Sequence, residues 1–396
     1  MRFRLAPTPA QEHALLDHCT HARYVWNLAV EQHQHWRPGR KSAPGYGEQS
    51  RQLTEARKAF GWLAAGSQTV QQQALRDFAR AIAGFFAGTH RRPTWRKTGV
   101  HEGFRIVGQR GRHWDVRRLS RKVGEVWIPK VGWVRLHWSR QVSKEAKSFR
   151  VNRDRAGRWH VAFAVIPPPI DGPGTGQVVG VDRGVAVSAA LSTGEKLSVP
   201  GLRDTEANRL RRLQRRLARA NPGSKRRARV KTAIARIKAR QADRRKDWVE
   251  KASTRLAADY DLIRVEDLKI KNMVRSARGT IAAPGSNVRA KAGLNRSIHA
   301  AGWGLLVTRL EHKAPGRVEK INPAYTSQIC HACGHCAADN RESQAVFRCR
   351  ACGHTDHADV NAAKNIAAGR AVTARGALQP PGGAVNREPQ PVLTSG

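Results

Sequence analysis

The sequence predicts a mixed α/β protein made of several domains. Three observations support this fold class. Apolar residues recur at helical spacing over residues 11–86, they alternate with polar residues over residues 104–167, and short apolar strands alternate with helical segments after residue 177. The chain of 396 residues is long enough for two or three domains.

The N-terminal part predicts a short strand followed by helices. Residues 1–10 are typical of a strand that ends at prolines. Apolar residues such as Leu15, Val25 and Phe78 then follow one another at three- and four-residue spacing, which indicates helices. Pro93 in the basic link that follows argues against further helix. We therefore expect a small helical lobe.

Residues 104–167 predict short strands separated by glycine and Asp-Arg turns. The segments V-W-I-P, W-V-R-L-H-W and W-H-V-A-F-A-V-I carry the alternation. We expect a small β-barrel that the N-terminal strand joins. Most tryptophans of this region are expected in its core rather than stacked on bases.

Two strands of the C-terminal half end in acids. The run V-V-G-V-D predicts a buried strand that ends at Asp182 and continues into a hairpin around residues 192–195. The run L-I-R-V-E predicts a strand that ends at Glu266. Between them, residues 204–259 predict two very basic helices interrupted at 221–223, whose charges repel unless they face phosphates.

The elements after Glu266 are predicted as a mobile loop over 276–295, a helix over 297–313 and the strand G-R-V-E-K-I-N. Asp359 then opens the helical run D-V-N-A-A-K-N-I-A-A-G. The last residues are rich in Pro and Gly without apolar periodicity, and we expect disorder there.

The three acids are ambiguous one by one. An unpaired carboxylate at the end of a buried strand costs more than the roughly 2–7 kcal/mol of a neutral polar group, so a cation is expected beside Asp182. Arg183 is one candidate, but strand alternation points its side chain to the opposite face of the sheet. Asp182 alone is equally consistent with a structural turn. Glu266 alone is consistent with an exposed strand end, and only one of Glu266 and Asp267 can face the side of Asp182.

Together the acids indicate a nuclease. Strand-Asp, hairpin, helical insertion, strand-Glu and helix-Asp is the order of an RNase H-like fold, which gathers carboxylates around two divalent cations. Such a pair activates water and stabilises the departing oxygen of a phosphodiester. Mg²⁺ suits oxygen ligands and water, with Mn²⁺ as a substitute.

A zinc site is predicted from the cysteines. Cys330, Cys333, Cys349 and Cys352 form two C-x-x-C pairs with fifteen residues between them, the spacing of a four-thiolate zinc ribbon. Four further side chains nearby are alternative ligands: Cys336, His331, His335 and His354.

Charge indicates the partner. The net charge of +42 and the pI near 11.5 favour a polyanion such as nucleic acid. The N-terminus lacks the apolar core of a signal peptide, and no apolar run is long enough to span a bilayer. We therefore expect a cytoplasmic protein that uses cysteines for zinc rather than disulfides.

With these residues the sequence resembles the TnpB family of insertion-sequence proteins, compact relatives of type V CRISPR effector nucleases. The resemblance covers nearly the whole chain. Its motifs are R-Y-V-W-N-L, Q-Q-Q-A-L, G-F-F, G-V-D-R-G-V, V-E-D-L, G-W-G-L-L, Y-T-S-Q-I-C-H-A-C-G, C-R-A-C-G and D-V-N-A-A-K-N-I.

The resemblance implies a transposon-associated RNA-guided DNA endonuclease, of the kind commonly named a transposase. Its implied partners are a guide RNA from the end of its own element and double-stranded target DNA beside a short flanking motif, in a prokaryotic cell and at its nucleoid. We expect one chain per RNA. The implied domains are a wedge-like β-barrel (1–10 and 101–170), a helical recognition lobe (11–100), a RuvC-like nuclease domain (175–328 and 354–376), an inserted zinc ribbon (329–353) and a disordered tail (377–396).

The resemblance also assigns roles. Asp182, Glu266 and Asp359 become the catalytic acids and the magnesium ligands, and the four paired cysteines hold structural zinc. Gln68 and Gln72 lie in the region where relatives read the flanking motif. Glutamine can bond an adenine edge, although ordinary solvated glutamines fit equally well.

One motif departs from the family pattern. Relatives carry Asp-Arg-Asp before Asn-Ala-Ala, whereas this chain has D-H-A-D at residues 356–359. Asp359 is assigned to catalysis because it directly precedes V-N-A-A, and the supporting role of Asp356 stays open.

Three alternatives compete with the nuclease. A guide-directed DNA-binding repressor would lack the acids, an RNA-independent RNase H-like transposase would use them to join DNA ends, and a structural RNA-binding protein would leave them unexplained.

Overall fold

The computed structural model describes residues 1–35 and 43–369, which form two compact units. Unit 1 comprises Met1–Pro167 and Leu202–Asp243, and unit 2 comprises Pro168–Gly201 and the chain from Arg244 onward. The predicted disordered tail, 377–396, lies outside the described residues.

Unit 1 begins with the predicted helical segment, which is confirmed. Thr8 starts the first helix with a capping box, because its hydroxyl accepts from the Gln11 backbone N–H and the Gln11 side chain accepts from the Thr8 N–H. The helices are α1 (Pro9–Gln34), α2 (Tyr46–Ala59), α3 (Gly61–Ala65) and α4 (Gln68–Phe86).

The sheet of unit 1 has seven strands and is antiparallel throughout. The N-terminal strand β1 lies between β7 and β5, so its predicted membership is confirmed. The order is β2-β6-β7-β1-β5-β4-β3, with β2 and β3 at its ends, and closure into a barrel stays a prediction. The strands are β1 (Arg2–Ala6), β2 (Gly103–Val107), β3 (Asp115–Arg118), β4 (Val123–Ile128), β5 (Gly132–His137), β6 (Ser148–Arg153) and β7 (Trp159–Phe163).

Tryptophan fills the core of this sheet. Trp114 is 1% exposed and contacts Phe149 and Phe163 with ring centroids 5.3 and 5.5 Å apart. Trp159 is also buried. The expectation that tryptophans here serve packing is therefore confirmed for these two.

The predicted basic helices are α5 (Asp204–Ala218) and α6 (Lys225–Asp259). Leu213, Val230, Ile234 and Ile237 form a narrow apolar seam between them. Most of their arginine and lysine side chains remain exposed, which leaves a strongly positive surface.

Unit 2 is built on a five-stranded sheet of order β10-β9-β8-β11-β12. Strand β9 runs antiparallel to β8 and β10, whereas β11 runs parallel to both β8 and β12. The strands are β8 (Val178–Asp182), β9 (Ala189–Leu191), β10 (Lys196–Leu197), β11 (Leu262–Glu266) and β12 (Val318–Ile321).

The helices of unit 2 correct two predictions. The loop expected over 276–295 ends early, because α8 begins at Val288, where V-R-A-K-A supplies good helix formers. The helix expected over 297–313 is instead broken at Gly302, whose φ of 73° is left-handed and ends α8. The helices are α7 (Ile270–Met273), α8 (Val288–Ala301), α9 (Trp303–Lys313) and α10 (Ala358–Ala367).

The cysteine region adds a two-stranded antiparallel hairpin, β13 (Val346–Arg348) with β14 (Thr355–His357). Among the helices of residues 1–35 and 43–369, none combines the length and apolar character that crossing a bilayer requires.

Candidate functional site

Asp182 and Glu266 end neighbouring parallel strands. Val181 of β8 is in register with Val265 of β11, so the next residue on each strand lies at the same edge of the sheet. Asp359 reaches this edge from the first turn of α10, the helix that packs against β8. The structure therefore brings the three predicted acids together.

A glycine permits the close approach of α10 to β8. A Cβ atom at Gly180 would lie 2.0 Å from the Ala363 carbonyl oxygen and 2.4 Å from the Ala367 nitrogen. Both atoms belong to helix backbone, which cannot rotate away. The glycine in V-V-G-V-D thus sets how near the first turn of α10 comes to Asp182.

The electrostatics of Asp182 are unusual. Burial raises the pKa of its carboxyl group well above the ordinary range, and the charges of Glu266 and Asp359 raise it further. Arg341 and Arg183 act in the opposite direction. Three acids that repel one another at a buried edge form a donor set that divalent cations would stabilise.

The structure decides between Glu266 and its neighbour. Glu266 is 8% exposed, and the Thr326 hydroxyl donates to its Oε1 at 2.9 Å. Asp267 instead forms a surface ion pair with Lys269, and the hydrogen bond from Lys269 lowers the pKa of Asp267. Glu266 is therefore the acid that shares the edge with Asp182.

Two arginines act on the acids: Arg183, whose side chain strand alternation predicted on the face opposite Asp182, and Arg341, which was not found from the sequence. Arg183 is buried and donates to the main-chain carbonyl of Glu266. Arg341 lies between the two cysteine pairs, and its Nη2 is 3.3 Å from Asp359 Oδ1. In a chain so rich in arginine, no local pattern distinguishes Arg341.

Trp303 also contributes to the site. Its indole N–H donates to the Gly184 carbonyl at 3.1 Å, which ties the start of α9 to the turn after Asp182. The tryptophan of the G-W-G-L-L motif thus supports the turn that follows the first acid.

The four paired cysteines converge as the spacing predicts. The sulfurs of Cys330, Cys333, Cys349 and Cys352 lie within 4.8 Å of one another, a group able to hold zinc. The Cys352 backbone N–H, 3.5 Å from the Cys349 sulfur, lowers the pKa of that thiol to about 6. A lowered pKa favours thiolate, the form that binds metal.

The two cysteine pairs fold alike. Gly334 and Gly353 follow the second cysteine of each pair with left-handed φ values of 79° and 72°. Each donates its N–H to the carbonyl of the first cysteine, Cys330 or Cys349, at 2.9 and 3.0 Å. These tight turns point both sulfurs of a pair in one direction.

The alternative zinc ligands are not members of the four-sulfur group. The rings of His331 and His354 stack with centroids 4.7 Å apart, and both lie near Asp356. Asp356 is bound by Lys364 of α10 at 2.7 Å. Cys336 is exposed and is not a member of the four-sulfur group.

Two asparagines of α10 attach the cysteine region to this helix. Asn361 accepts from the His331 N–H at 3.0 Å and donates to the Ile329 carbonyl at 2.8 Å. Asn365 donates to the same carbonyl and to that of Thr326. Both are fully buried. The motif D-V-N-A-A-K-N thus holds the Cys330 turn, Thr326 and Asp359 in one arrangement.

The two glutamines predicted to read the flanking motif differ in exposure and hydrogen bonding. Gln68 is exposed at the start of α4. Gln72, one turn later, accepts hydrogen bonds from the Tyr46 hydroxyl at 3.3 Å and the Ser50 hydroxyl at 3.0 Å of α2. Neither contact was expected from the sequence.

Three family models match separate parts of the chain. Family models match residues 1–41 ("Helix-turn-helix domain"), 162–277 ("Probable transposase", OrfB_IS605) and 303–366 ("Cas12f1-like, TNB domain"). Over the described part of 1–41 the structure has β1 and the single long helix α1.

Two relatives align along nearly their full length. "Putative RNA-guided DNA endonuclease InsQ" of Escherichia coli K12 is 35% identical over 99% of this chain and 97% of its own. A "Putative RNA-guided DNA endonuclease" of Streptomyces pristinaespiralis is 30% identical over 95% of this chain and 90% of its own.

A solved structure shares the fold. The cryo-EM structure of a Cas12f1–sgRNA–target DNA complex aligns with a TM-score of 0.54 at 14% identity, covering 90% of this chain and 82% of that chain. The predicted mixed α/β fold class is confirmed at this level. The resemblance stated from the motifs is confirmed as well: this chain belongs to the TnpB family of insertion-sequence proteins, which is related to the type V CRISPR effectors.

Proposed function

We propose that this protein is a transposon-associated RNA-guided DNA endonuclease whose single nuclease site consists of Asp182, Glu266 and Asp359. One observation carries the proposal. Three acids far apart in the sequence lie together at one edge of the sheet in unit 2, where burial and mutual repulsion raise the pKa of Asp182. The relatives described as RNA-guided DNA endonucleases support the same activity.

Two Mg²⁺ ions, or Mn²⁺ in their place, fit the oxygen donors of this site and would supply activation of water and stabilisation of the departing oxygen. The three acids would hold the ions. Thr326 orients Glu266 through its 2.9 Å hydrogen bond, and Arg341 beside Asp359 places a positive charge where a DNA phosphate would enter.

We further propose that unit 2 has an RNase H-like (RuvC-like) nuclease core. Its sheet order, an antiparallel three-stranded meander followed by two parallel strands, supports this assignment. The sheet of unit 1 would be the wedge and its N-terminal helices the recognition lobe. The domain boundaries stated from the sequence remain part of the proposal.

Zinc would have a structural role in this arrangement. The four sulfurs would hold the ion, and the folded ribbon would place Arg341 beside Asp359 and anchor α10 through Asn361 and Asn365. Zinc thus supports the nuclease site without taking part in cleavage.

The proposed partners are a guide RNA and double-stranded target DNA, which one chain per RNA would engage at the nucleoid. The exposed basic surface of α5 and α6 supports binding to a phosphate backbone. Gln68 and Gln72 would read the flanking motif. The hydroxyls of Tyr46 and Ser50 both donate to Gln72 Oε1, so Gln72 would read a base through its Nε2 donor.

The decisive experiment is cleavage of a plasmid by protein co-expressed with its element's downstream RNA, reprogrammed to a target beside a randomised flank. We expect magnesium-dependent cutting that requires the guide match. Glu266→Gln should reduce the rate at least about 100-fold, whereas Asp267→Asn should leave it within about twofold, because only Glu266 faces Asp182.

The alternatives predict different outcomes. Guide-dependent binding without cutting would identify a repressor, and DNA joining without RNA would identify a conventional transposase. Equal effects of the two neighbouring substitutions would contradict the assigned site.

A further inference from the structure

Unit 1 contains a cavity of about 270 Å³ that no part of the proposed function uses. Helices α1 and α4, the link that follows α4, and strands β2 and β6 all contribute to its wall. Its charged lining groups are Arg96, Arg105, Arg150, Asp77 and Glu102.

Arg96 is held in place before any ligand arrives. Its backbone N–H donates to Asn27 Oδ1 at 2.7 Å, and its carbonyl accepts from Asn27 Nδ2 at 3.1 Å. The guanidinium carbon lies 3.6 Å from the ring centroid of Trp26, a cation–π contact. Trp26 in turn donates to the Thr94 carbonyl at 2.9 Å.

The two acids of the cavity are already engaged. Asp77 accepts from Arg150 at 2.9 Å and lies 3.5 Å from Arg105. Glu102 forms an ion pair with Arg23 at 2.9 Å. No described residue offers a carboxylate within ion-pair distance of the remaining arginine, Arg96.

The cavity therefore has an excess of positive charge. Arg23, which is not a lining residue, neutralises Glu102, so the three arginines of the wall share the single carboxylate of Asp77, which leaves a net charge of +2. Burial, together with the charge of Arg150, lowers the pKa of Arg96 to about 10, against the smaller opposing effect of Asp77. An anion between Arg96 and Arg150 would relieve both effects.

We propose that this cavity binds one backbone phosphate of a nucleic-acid strand through Arg96 and Arg150. Guanidinium groups match phosphate oxygens with paired hydrogen bonds, and the volume accommodates the phosphate with its sugar. The inference rests on the proposed function only in requiring that the protein binds nucleic acid. A guide strand and a target strand offer the same chemistry, and the test separates them.

The first test measures affinity for a 20-nucleotide RNA–DNA heteroduplex by fluorescence anisotropy between 50 and 400 mM NaCl. Arg96→Gln should lower affinity at least about fivefold at low salt and reduce the slope of log K against log salt by about 0.7–0.9, the value for one phosphate contact. Arg96→Lys should retain most of the slope. Arg155→Gln is the matched control, because Arg155 is exposed in the turn before β7.

The second test places a single uncharged methylphosphonate linkage at each position of one strand in turn. Wild-type protein should lose affinity at one linkage that the Arg96→Gln variant no longer senses. Loss confined to modified DNA assigns the phosphate to the target, and loss confined to modified RNA assigns it to the guide.

Two results would overturn the inference. Equal effects of Arg96→Gln and Arg155→Gln, with no linkage whose sensitivity depends on Arg96, would reject the cavity while leaving the proposed function intact. Failure of wild-type protein to bind any of these strands would reject both. Circular dichroism and melting of each variant separate a binding defect from a folding defect.

Discussion

At the scale of single residues, the half-buried Asp182 carboxylate is destabilised by desolvation and by the charges of Glu266 and Asp359. Its side chain accepts no hydrogen bond from any described residue, whereas Glu266 is oriented by Thr326 and Asp359 by Arg341. The site is therefore costly without cations, and that cost can be measured separately from catalysis.

Replacing Asp182 with asparagine should stabilise the protein in EDTA at pH 7, on the order of 1–3 kcal/mol, while it abolishes cleavage. The neutral amide avoids the desolvation and the charge repulsion that the carboxylate experiences. The sign follows from linkage. A carboxyl group whose pKa is raised on folding destabilises the folded state as pH rises. The destabilisation grows between the ordinary pKa of about 3.9 and the raised pKa of the folded protein. Thermal melting over this range should show wild type losing stability relative to Asp182→Asn.

Adding MgCl₂ provides the control for this prediction. The melting temperature of wild type should rise, and that of Asp182→Asn should rise less. A variant less stable than wild type in EDTA at every pH would show that Asp182 has a structural partner.

At the scale of elements, the packing of α10 against β8 assembles the site. Gly180 leaves room for the helix backbone, and Asn361 and Asn365 attach the cysteine region to the same helix. The position of Asp359 thus depends on a strand from one side and on the ribbon from the other.

Gly180→Ala should destabilise the protein by about 1–3 kcal/mol or more and reduce cleavage, because the new methyl group would meet helix backbone at 2.0 Å. Gly201→Ala is the matched control, since nothing lies within 4 Å of a Cβ atom there. Chemical denaturation measures both. A neutral Gly180→Ala variant would mean that α10 does not approach β8 this closely.

Cys349→Ser should release zinc and lower the melting temperature, because a structural zinc site contributes directly to folding. Cys336→Ser should leave the zinc content unchanged, since Cys336 is not a member of the four-sulfur group. Metal analysis by mass spectrometry checks both variants. Zinc loss in Cys336→Ser would indicate that Cys336 is a zinc ligand.

At the scale of the whole molecule, the high net positive charge governs how the protein binds nucleic acid. A chain of +42 repels itself, and α5 and α6 expose most of their basic side chains. Binding of nucleic acid would neutralise these charges and release counterions. The affinity should therefore depend more strongly on salt concentration than on the base sequence of the nucleic acid.

We expect affinity for a guide RNA to fall at least about 1,000-fold between 50 and 200 mM NaCl, as it does for proteins that make six or more phosphate contacts. Filter binding across this range measures the slope. A shallow slope would show that the basic helices do not contact the backbone.

The sequence alone was sufficient where chemistry is encoded locally. Cysteine spacing predicted the four-sulfur group, apolar runs predicted strands that end at Asp182 and Glu266, and charge predicted a nucleic-acid partner. The type and order of most elements also followed, because periodicity is a local signal.

Tertiary structure decided what depends on residues far apart in the chain. It selected Glu266 over Asp267, placed Arg341 beside Asp359, and showed that Gly180 must lack a side chain because α10 crosses it. The structure also shows that the helix predicted over 297–313 is interrupted at Gly302. Burial, pKa and close approach arise from neighbours that are distant in sequence, so no window of the chain contains them.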